Sequence, residues 1–251
     1  MEQREQIRKH HRARRRLFRL AAVLLAGLAC AICLVSRLAA APAETPTADP
    51  QPGWRFTLIP TPAPYMERGS GCATAIDISA FCDPDVKNSQ DLVVFAQEAW
   101  ENQWGYVWGT FGEVLTEELL AYKLEQYPQD VGEYEALIQT QWLGRRTADC
   151  VGLIKAYGWL DPATAEIYYG NGMPDYSTET LFEAAAEKGE LATMPELPGL
   201  LVYREGHVGI YIGNDFVIEA KGTENGVVKT KLSEGEFTHW LKCPDMAYYD
   251  E

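Results

Sequence analysis

The stretch TADCVGLIKAYGW, residues 147–159, decides which fold the rest of the chain has to fit. It predicts a short helix that Thr147 caps, with Asp149 favourably placed at the positive end of the helix dipole and Gly158 as a natural stop. Cys150 then lies in the first turn and shares one apolar stripe with three later residues: Leu153, Ile154 and Tyr157. The stripe is compatible with a small core residue, half of a disulfide or a nucleophile, and the rest of the chain has to separate these.

The chain has 251 residues, 47% of them hydrophobic, which is enough for one substantial domain or two small ones. The net charge of −14 hides a strong asymmetry. Residues 1–19 carry eight Lys or Arg against two Glu, whereas the sequence beyond residue 43 carries 13 basic and 34 acidic residues. Because the body of the protein is strongly acidic, the composition excludes nucleic acid as an expected partner.

An uncharged apolar run from Leu20 to Val35 follows the basic segment 1–19 and lies between Arg19 and Arg37. A basic flank before an apolar run is typical of an exported chain whose N-terminus stays in the cytoplasm. We predict a transmembrane anchor or signal segment over residues 20–41, and we favour the uncleaved anchor. The alternative is a cleaved signal peptide, since Ala41-Pro42-Ala43 resembles a small-residue cleavage site.

Residues 42–68 form a predicted linker, in which the part up to residue 64 holds seven of the chain's fourteen prolines. Such a segment is an extended tether that spans roughly 3 Å per residue. The folded domain is therefore predicted over residues 69–251, outside the cytoplasm.

Within this domain, helical spacing of apolar residues comes first and short strands come second. The predicted helices lie near residues 92–100, 115–124, 132–140, 147–158 and 178–188, and the predicted strands at residues 200–203, 207–212, 216–220 and 227–231. This order indicates an α+β domain, with N-terminal helices packed on a C-terminal antiparallel sheet.

The candidate chemistry combines a thiol with an imidazole and a carboxylate. His207 opens the strand HVGIYIG, and Glu219 lies twelve residues later in FVIEA. In a hairpin with an odd number of loop residues, this even separation puts both side chains on one face. They are directly opposite if the loop centres on Gly213, and diagonal neighbours if the centre shifts by one residue. A two-residue turn would break that register. Cys150, His207 and Glu219 would then supply nucleophile, base and orienting group. We also expect the helix start and a nearby imidazolium to lower the pKa of the Cys150 thiol.

The other cysteines outside the apolar run are Cys72, Cys82 and Cys243. Cys72 and Cys82 are close in sequence, and a disulfide between them is possible in an oxidising compartment. The four cysteines beyond the apolar run lack zinc-site spacing, so we expect no metal.

The motifs DCVGLIKAYGW, GHVGIYIG and VIEA, with GYVWGT upstream, resemble those of the NlpC-type cell-wall peptidases over residues 90–243. These are bacterial cysteine endopeptidases with a papain-like fold. The resemblance implies that Cys150 is the nucleophile, His207 the base and Glu219 the third, orienting residue. It also implies that Tyr106 lies near the oxyanion and Asp149 near the free amine of the substrate.

The resemblance further implies hydrolysis of peptidoglycan stem peptides, commonly between D-glutamate and the dibasic third residue, by a monomer that needs no cofactor. Its expected partners are these stem peptides and, through the N-terminal segment, the membrane. Two alternatives use the same thiol: an amidase that cuts between muramic acid and L-alanine, and an acyltransferase. An alternative of another class is a wall-binding or scaffold protein without activity.

The chain departs from the family's pattern in three respects. Val151 follows the cysteine where serine is frequent, and Glu219 occupies a position that is more often His or a neutral polar residue. The segments 113–146 and 160–196 are also longer than usual. Their aromatic residues are expected either to line a substrate groove or to be core: Tyr122, Tyr127, Trp142, Tyr168, Tyr169 and Tyr176.

If residues 20–41 form an uncleaved anchor, the full chain should sediment with membranes and resist extraction by high salt, because the apolar run is held by the hydrocarbon core rather than by surface charge. Sedimentation followed by salt washes and N-terminal sequencing measures this. Recovery of a soluble form that begins at Glu44 would show that Ala41-Pro42-Ala43 is cleaved instead.

Overall fold

The structure is a computed structural model that describes residues 74–249. The predicted anchor at 20–41, the linker at 42–68 and Cys72 lie outside the described residues. Within the described part, no helix is long and apolar enough to cross a membrane.

The first half of the described chain is mainly helical. Helix α1 spans Ser89–Glu101, strand β1 Phe111–Val114, helix α2 Glu117–Gln126, helix α3 Glu135–Gln141, strand β2 Arg146–Ala148 and helix α4 Cys150–Gly158. After it come strands β3 (Leu160–Asp161) and β4 (Glu166–Ile167) and helix α5 (Thr178–Ala184). The predicted helix at residues 132–140 divides into a 3₁₀ turn, Gly132–Tyr134, and α3, and the predicted helix at 178–188 ends early at Ala184.

The second half forms an antiparallel sheet, as the sequence predicts. Its strands are β5 (Lys188–Glu190), β6 (Leu201–Arg204), β7 (His207–Gly213), β8 (Phe216–Gly222), β9 (Gly226–Lys231) and β10 (His239–Leu241). Within the described residues the strand order is β5-β10-β6-β7-β8-β9, and each neighbouring pair is antiparallel. The fold class is therefore α+β, with helices packed on an antiparallel sheet.

The main core lies between helices α1 and α4 and one face of this sheet. The helices contribute Leu92, Phe95, Leu153, Ile154 and Tyr157, and the sheet contributes Val208, Ile210, Ile218 and Ala220. The other face of the sheet has its own apolar cluster, which consists of Leu200, Val202, Tyr211, Val217 and Phe237. Alternation along β7 and β8 explains this division, because successive side chains of a strand point to opposite faces.

The long segment 113–146 has a third apolar cluster, formed with Val107, which precedes it. The buried members are Val107, Leu115, Leu120, Val131, Ile138 and Trp142. Trp142 ties this cluster to the sheet, because its indole N–H donates to the carbonyl of Thr223 at 2.7 Å. The segment is therefore a packed extension of the domain rather than an open loop.

Helix α4 begins two residues later than a Thr147 cap would place it. Thr147 lies in strand β2, and Asp149 is the N-cap residue, with Cys150 as the first helical residue. The Asp149 side chain accepts the N–H of Gly152 at 2.6 Å. Strand β2 is paired with β1, and this pairing keeps Thr147 extended and leaves the capping position to Asp149.

Gly152 lets helix α4 approach the loop before β1. A Cβ atom at this position would lie 2.0 Å from the carbonyl oxygen of Thr110 and 2.8 Å from Asp149 Oδ1. The close approach is what allows the backbone N–H of Asp149 to donate to Thr110 O at 3.0 Å.

Changing Gly152 to Ala should lower the free energy of unfolding of the full chain by about 2–3 kcal/mol, because the loop has to move away from the helix. Urea denaturation followed by tryptophan fluorescence measures this. The control is Gly132→Ala, since a Cβ at Gly132 has no neighbour within 4 Å. Equal losses in the two variants would contradict the proposed role of the contact.

Candidate active site

Cys150 lies at the start of helix α4 and is only 5% exposed. Its sulfur lies 3.7 Å from the hydroxyl oxygen of Thr178, the first residue of helix α5. Its backbone N–H donates to no group within residues 74–249, as expected for the first turn of a helix. The same residue thus offers a thiol and, on the main chain, a donor with no protein acceptor.

The surroundings of Cys150 do not lower its pKa, which corrects the expectation from the helix start and the imidazole. Burial, and then the charge of Asp149, raise the pKa of the Cys150 thiol to about 11. The Thr178 hydroxyl and the backbone N–H groups of Val208 and Val151 act in the opposite direction and offset only part of this. The resting thiol is therefore protonated, and its activation requires a base.

His207 and Glu219 are brought into direct contact on the hairpin of β7 and β8. His207 Nε2 lies 2.6 Å from Glu219 Oε2, and the two residues are 6% and 2% exposed. The imidazole ring also stacks on the ring of Phe237, with the centroids 6.0 Å apart and the planes 17° apart. Both contacts fix the orientation of the imidazole.

The turn between β7 and β8 differs from the expected loop with an odd number of residues. The turn has two residues, Asn214 and Asp215, both with positive φ, as in the turns that match strand twist. A bulge between Tyr211 and Gly213 adds one residue to β7 and restores the parity that such a turn would otherwise break. Since Ile210 pairs with Ile218, Glu219 falls opposite position 209 and diagonal to position 207.

Gly209 makes room for this diagonal contact. A Cβ atom there would lie 2.6 Å from Val217 Cγ1, 3.2 Å from Phe237 Cζ and 3.4 Å from Glu219 Cβ. Without a side chain at this position, Glu219 crosses toward His207 and Phe237 packs on the imidazole.

The Glu219 carboxylate has a second donor that the sequence did not indicate. The hydroxyl of Thr230, on β9, donates to Glu219 Oε1 at 2.6 Å, and Lys221 Nζ lies 3.9 Å from the same oxygen. Burial alone would raise the pKa of Glu219, but the hydrogen bonds of His207 and Thr230 and the charges of His207 and Lys221 outweigh it and lower this pKa.

An ionised Glu219 fixes the tautomer of a neutral His207. A carboxylate only accepts hydrogen bonds, so Nε2 carries the proton that it donates to Glu219. The lone pair is then on Nδ1, which makes no hydrogen bond within residues 74–249. The geometry thus leaves one imidazole nitrogen as a base.

The thiol approaches the beginning of β7 without a hydrogen bond to the imidazole. Cys150 lies beside the backbone N–H of Val208, the residue next to His207. In the described part of the chain, no hydrogen bond joins the Cys150 sulfur to His207, and the side-chain hydrogen bond of the sulfur is to Thr178. The structure therefore pairs the base and the carboxylate directly, and places the thiol at the strand position that follows the base.

Tyr106 and Asp149 both lie close to Cys150. Tyr106 is 8% exposed and belongs to the same apolar cluster as Cys150. Burial raises the pKa of the Tyr106 hydroxyl, and the nearby titratable thiol of Cys150 and the charge of Asp149 raise it further, so the hydroxyl remains a donor. Asp149 is also 8% exposed, and both its oxygens accept backbone N–H groups, Oδ1 from Gly152 at 2.6 Å and Oδ2 from Gly109 at 2.8 Å.

The aromatic residues of the two long segments divide between core and surface. Trp142 is buried, and Tyr127 and Tyr176 are half-buried. Tyr122, Tyr168 and Tyr169 are exposed, at 53%, 49% and 65%. Of these six aromatic residues, one is therefore a core residue, two are partly buried, and the other three are exposed.

No protein-family model matches the chain, and no curated protein matches it either. Solved structures do. The P60 domain of an antigen from M. avium subspecies paratuberculosis is 17% identical, with a TM-score of 0.36, over 63% of this chain and 98% of that one. The peptidoglycan hydrolase RipB from Mycobacterium tuberculosis is 16% identical, with a TM-score of 0.36, over 64% of this chain and 68% of that one.

The NlpC/p60 domain of the peptidoglycan hydrolase SagA is likewise 16% identical, with a TM-score of 0.36, over 62% of this chain and 98% of that one. Two of these three structures are thus of domains named P60 or NlpC/p60.

Changing Glu219 to Gln should lower the free energy of unfolding by about 1–3 kcal/mol at neutral pH, because two charge-assisted hydrogen bonds are weakened. The pKa of Glu219 is lowered on folding, so its stabilisation is present above the ordinary carboxyl pKa and is lost as the pH falls through the lower, folded value. The difference between wild type and variant should therefore narrow below about pH 4.

Urea denaturation of the full chain at several pH values measures this difference. The control is Glu224→Gln, which removes an exposed carboxylate from the loop between β8 and β9. If Glu219→Gln lowers the free energy of unfolding by the same amount down to pH 2.5, the charge of the carboxylate is not what stabilises the His207–Glu219 pair.

Proposed function

We propose that this chain is a peptidoglycan endopeptidase of the cysteine type, held outside the cytoplasm by its N-terminal segment. The observation that supports this most strongly is the buried hydrogen bond from His207 Nε2 to Glu219, 2.6 Å long, which leaves Nδ1 as the basic nitrogen. It lies at the start of the strand that the Cys150 thiol approaches. A thiol, an oriented imidazole and a carboxylate are the set that acyl transfer through a thioester requires.

In the proposed first step, His207 Nδ1 removes the proton from Cys150 as the sulfur attacks a carbonyl carbon of the stem peptide. Because the pKa of the resting thiol is raised to about 11, proton removal and attack are coupled rather than starting from a stable thiolate. The negative charge that develops on the carbonyl oxygen is stabilised by the Cys150 N–H and by the Tyr106 hydroxyl.

In the second step, the imidazolium returns its proton to the leaving amine, and the carbon–nitrogen bond breaks to give a thioester on Cys150. Water, deprotonated by the same imidazole, then attacks the thioester. The acid is released, and the proton returns to the thiol. Glu219 keeps the imidazole in place and offsets its positive charge during both steps.

Asp149 has a positioning role in this scheme. Both its oxygens already accept backbone N–H groups, so it holds the start of helix α4 and the loop at Gly109. The substrate amine that the family resemblance assigns to this position would have to share an oxygen with one of these donors.

The substrate proposed is the peptide stem, cut between D-glutamate and the dibasic third residue. The family resemblance supports this bond, and the motifs that carry it are quoted above. An amidase that cuts next to muramic acid would free the amine of L-alanine instead, so the products separate the two reactions.

Digestion of purified sacculi with the full chain, followed by mass spectrometry of the muropeptides, tests this function. Cys150→Ala should lower turnover at least about a thousandfold, because the covalent step is lost, and should retain the unfolding midpoint of the wild type within a small difference. Glu219→Gln should lower turnover roughly ten- to a thousandfold, which is less than the effect of Cys150→Ala because the nucleophile and the base remain.

The matched control is Cys243→Ala, because Cys243 is also buried but lies outside the site. Activity of Cys150→Ala at the wild-type level would exclude the mechanism. A new amine on L-alanine would replace the endopeptidase by the amidase, and sacculi left intact by the wild type would favour the wall-binding or scaffold alternative.

A further inference from the structure

We propose that Lys123, from the long segment 113–146, is a positioning residue of this active site, and that it supports the Asp149 carboxylate, through Gly109 and through its own charge, at the start of the helix that carries Cys150. The proposal rests on the proposed function only for its effect on turnover. The contacts themselves are properties of the fold.

Lys123 is a buried cation on helix α2, 6% exposed. Its ammonium donates to the carbonyl oxygen of Gly109 and lies 5.7 and 6.0 Å from the ring centroids of Tyr122 and Tyr127. It forms no ion pair within 4.0 Å among residues 74–249. A buried ammonium is costly unless other groups compensate its charge, so groups slightly further away have to account for its position.

Gly109 is held on both sides by groups from different elements. Its carbonyl accepts from Lys123, and its N–H donates to Asp149 Oδ2 at 2.8 Å. It has a φ of +77°, and a Cβ there would lie 2.6 Å from the ring of Tyr127, so the position requires glycine for two reasons. Lys123 and Tyr127 together therefore clamp the loop that follows Tyr106.

Asp149 is a buried carboxylate whose charge needs support. Burial raises its pKa, and the N–H of Gly152, the charge of Lys155, the N–H of Gly109 and the charge of Lys123 oppose this. Lys155 is already paired with Asp175 at 2.7 Å, whereas Lys123 has no carboxylate of its own. Of the two cations that act on Asp149, Lys155 has the larger effect, and Lys123 is the one with no carboxylate within 4.0 Å among residues 74–249.

Three other titratable groups face the same carboxylate. They are the thiol of Cys150, which titrates only at high pH, the hydroxyl of Tyr106 and the carboxylate of Glu113. Glu113 also interacts with Lys123. Loss of Lys123 would leave Glu113 and Asp149 without the cation that lowers the pKa of both, and Asp149 would take up a proton at higher pH than in the wild type. A protonated Asp149 accepts one N–H less well, and the loop at Gly109 and the start of α4 lose their common anchor.

The test is the pH dependence of stability in Lys123→Met, measured by urea denaturation of the full chain between pH 4 and pH 8. A carboxyl group whose pKa is raised on folding stabilises the protein below its unfolded pKa, and this contribution is lost as the pH rises through the folded value. Lys123→Met raises the pKa of Asp149 in the folded state further. The ratio of the variant's unfolding constant to that of the wild type should therefore grow about tenfold from pH 4 to pH 8.

Companion variants separate charge from packing. Lys123→Gln keeps a donor for Gly109 without the charge and should show the same growth with pH, and Lys123→Arg should stay within about threefold of wild type at every pH. In an Asp149→Asn background the growth should fall below about threefold, with Glu113 as the remaining carboxylate. Lys242→Met is the control, since Lys242 pairs with Glu187 at 3.0 Å and contacts the ring of Tyr248. The change in the free energy of unfolding that it causes should be the same with and without Asp149.

The proposal would be overturned if Lys123→Met lowered the free energy of unfolding by the same amount at every pH, or if the effect grew equally with pH in the Asp149→Asn background. Lys123 would then be a packing residue. On sacculi, Lys123→Met should lower kcat/KM about tenfold and Lys123→Arg should restore it. If the wild type does not cut sacculi, the proposed function fails, while the stability series still decides the role of Lys123.

Discussion

The Asp149 carboxylate at the start of helix α4 is the group on which the rest of the site depends. It accepts the N–H of Gly152 within the helix and that of Gly109 in the neighbouring loop, and its own N–H donates to Thr110. One residue thus fixes the first turn of the helix, the loop and the distance between them. These N–H groups and the positive end of the helix dipole offset part of the cost of burying the carboxylate, and its pKa stays raised by burial.

The sheet supplies the other half of the site through a constraint of register. A two-residue turn with positive φ matches the twist of β7 and β8 but would put His207 and Glu219 on opposite faces. The bulge near Tyr211 corrects this, and Gly209 leaves the space in which the two side chains meet. Thr230 and Phe237 then hold the carboxylate and the imidazole from neighbouring elements.

The two halves meet at the beginning of β7, where the thiol lies against the backbone next to the base. The same burial that orders the His207–Glu219 pair also disfavours a thiolate, since the Cys150 sulfur is shielded from water and lies near Asp149. In the proposed mechanism the thiol therefore becomes a nucleophile only together with proton transfer. The raised pKa of the thiol follows from burial and the charge of Asp149, whereas burial opposes the lowered pKa of Glu219, which the hydrogen bonds of His207 and Thr230 produce.

Strands β1–β5 and β10 were not predicted from the sequence. The sequence by itself determined that helices precede the strands β6–β9, the α+β class and the three residues of the candidate set. These follow from local periodicity: the apolar stripe of residues 150–157, the alternation of HVGIYIG and the even separation of His207 and Glu219. Local periodicity did not predict the N-cap residue of helix α4, because the choice between Thr147 and Asp149 depends on the pairing of strand β2 with β1. Only the tertiary structure decided the diagonal register and the partners Thr178, Thr230 and Lys123, which come from elements distant in sequence and share no spacing with the residues they contact. The raised pKa of the thiol was likewise decided by the tertiary structure, since the depth at which a side chain is buried depends on what the whole chain packs around it.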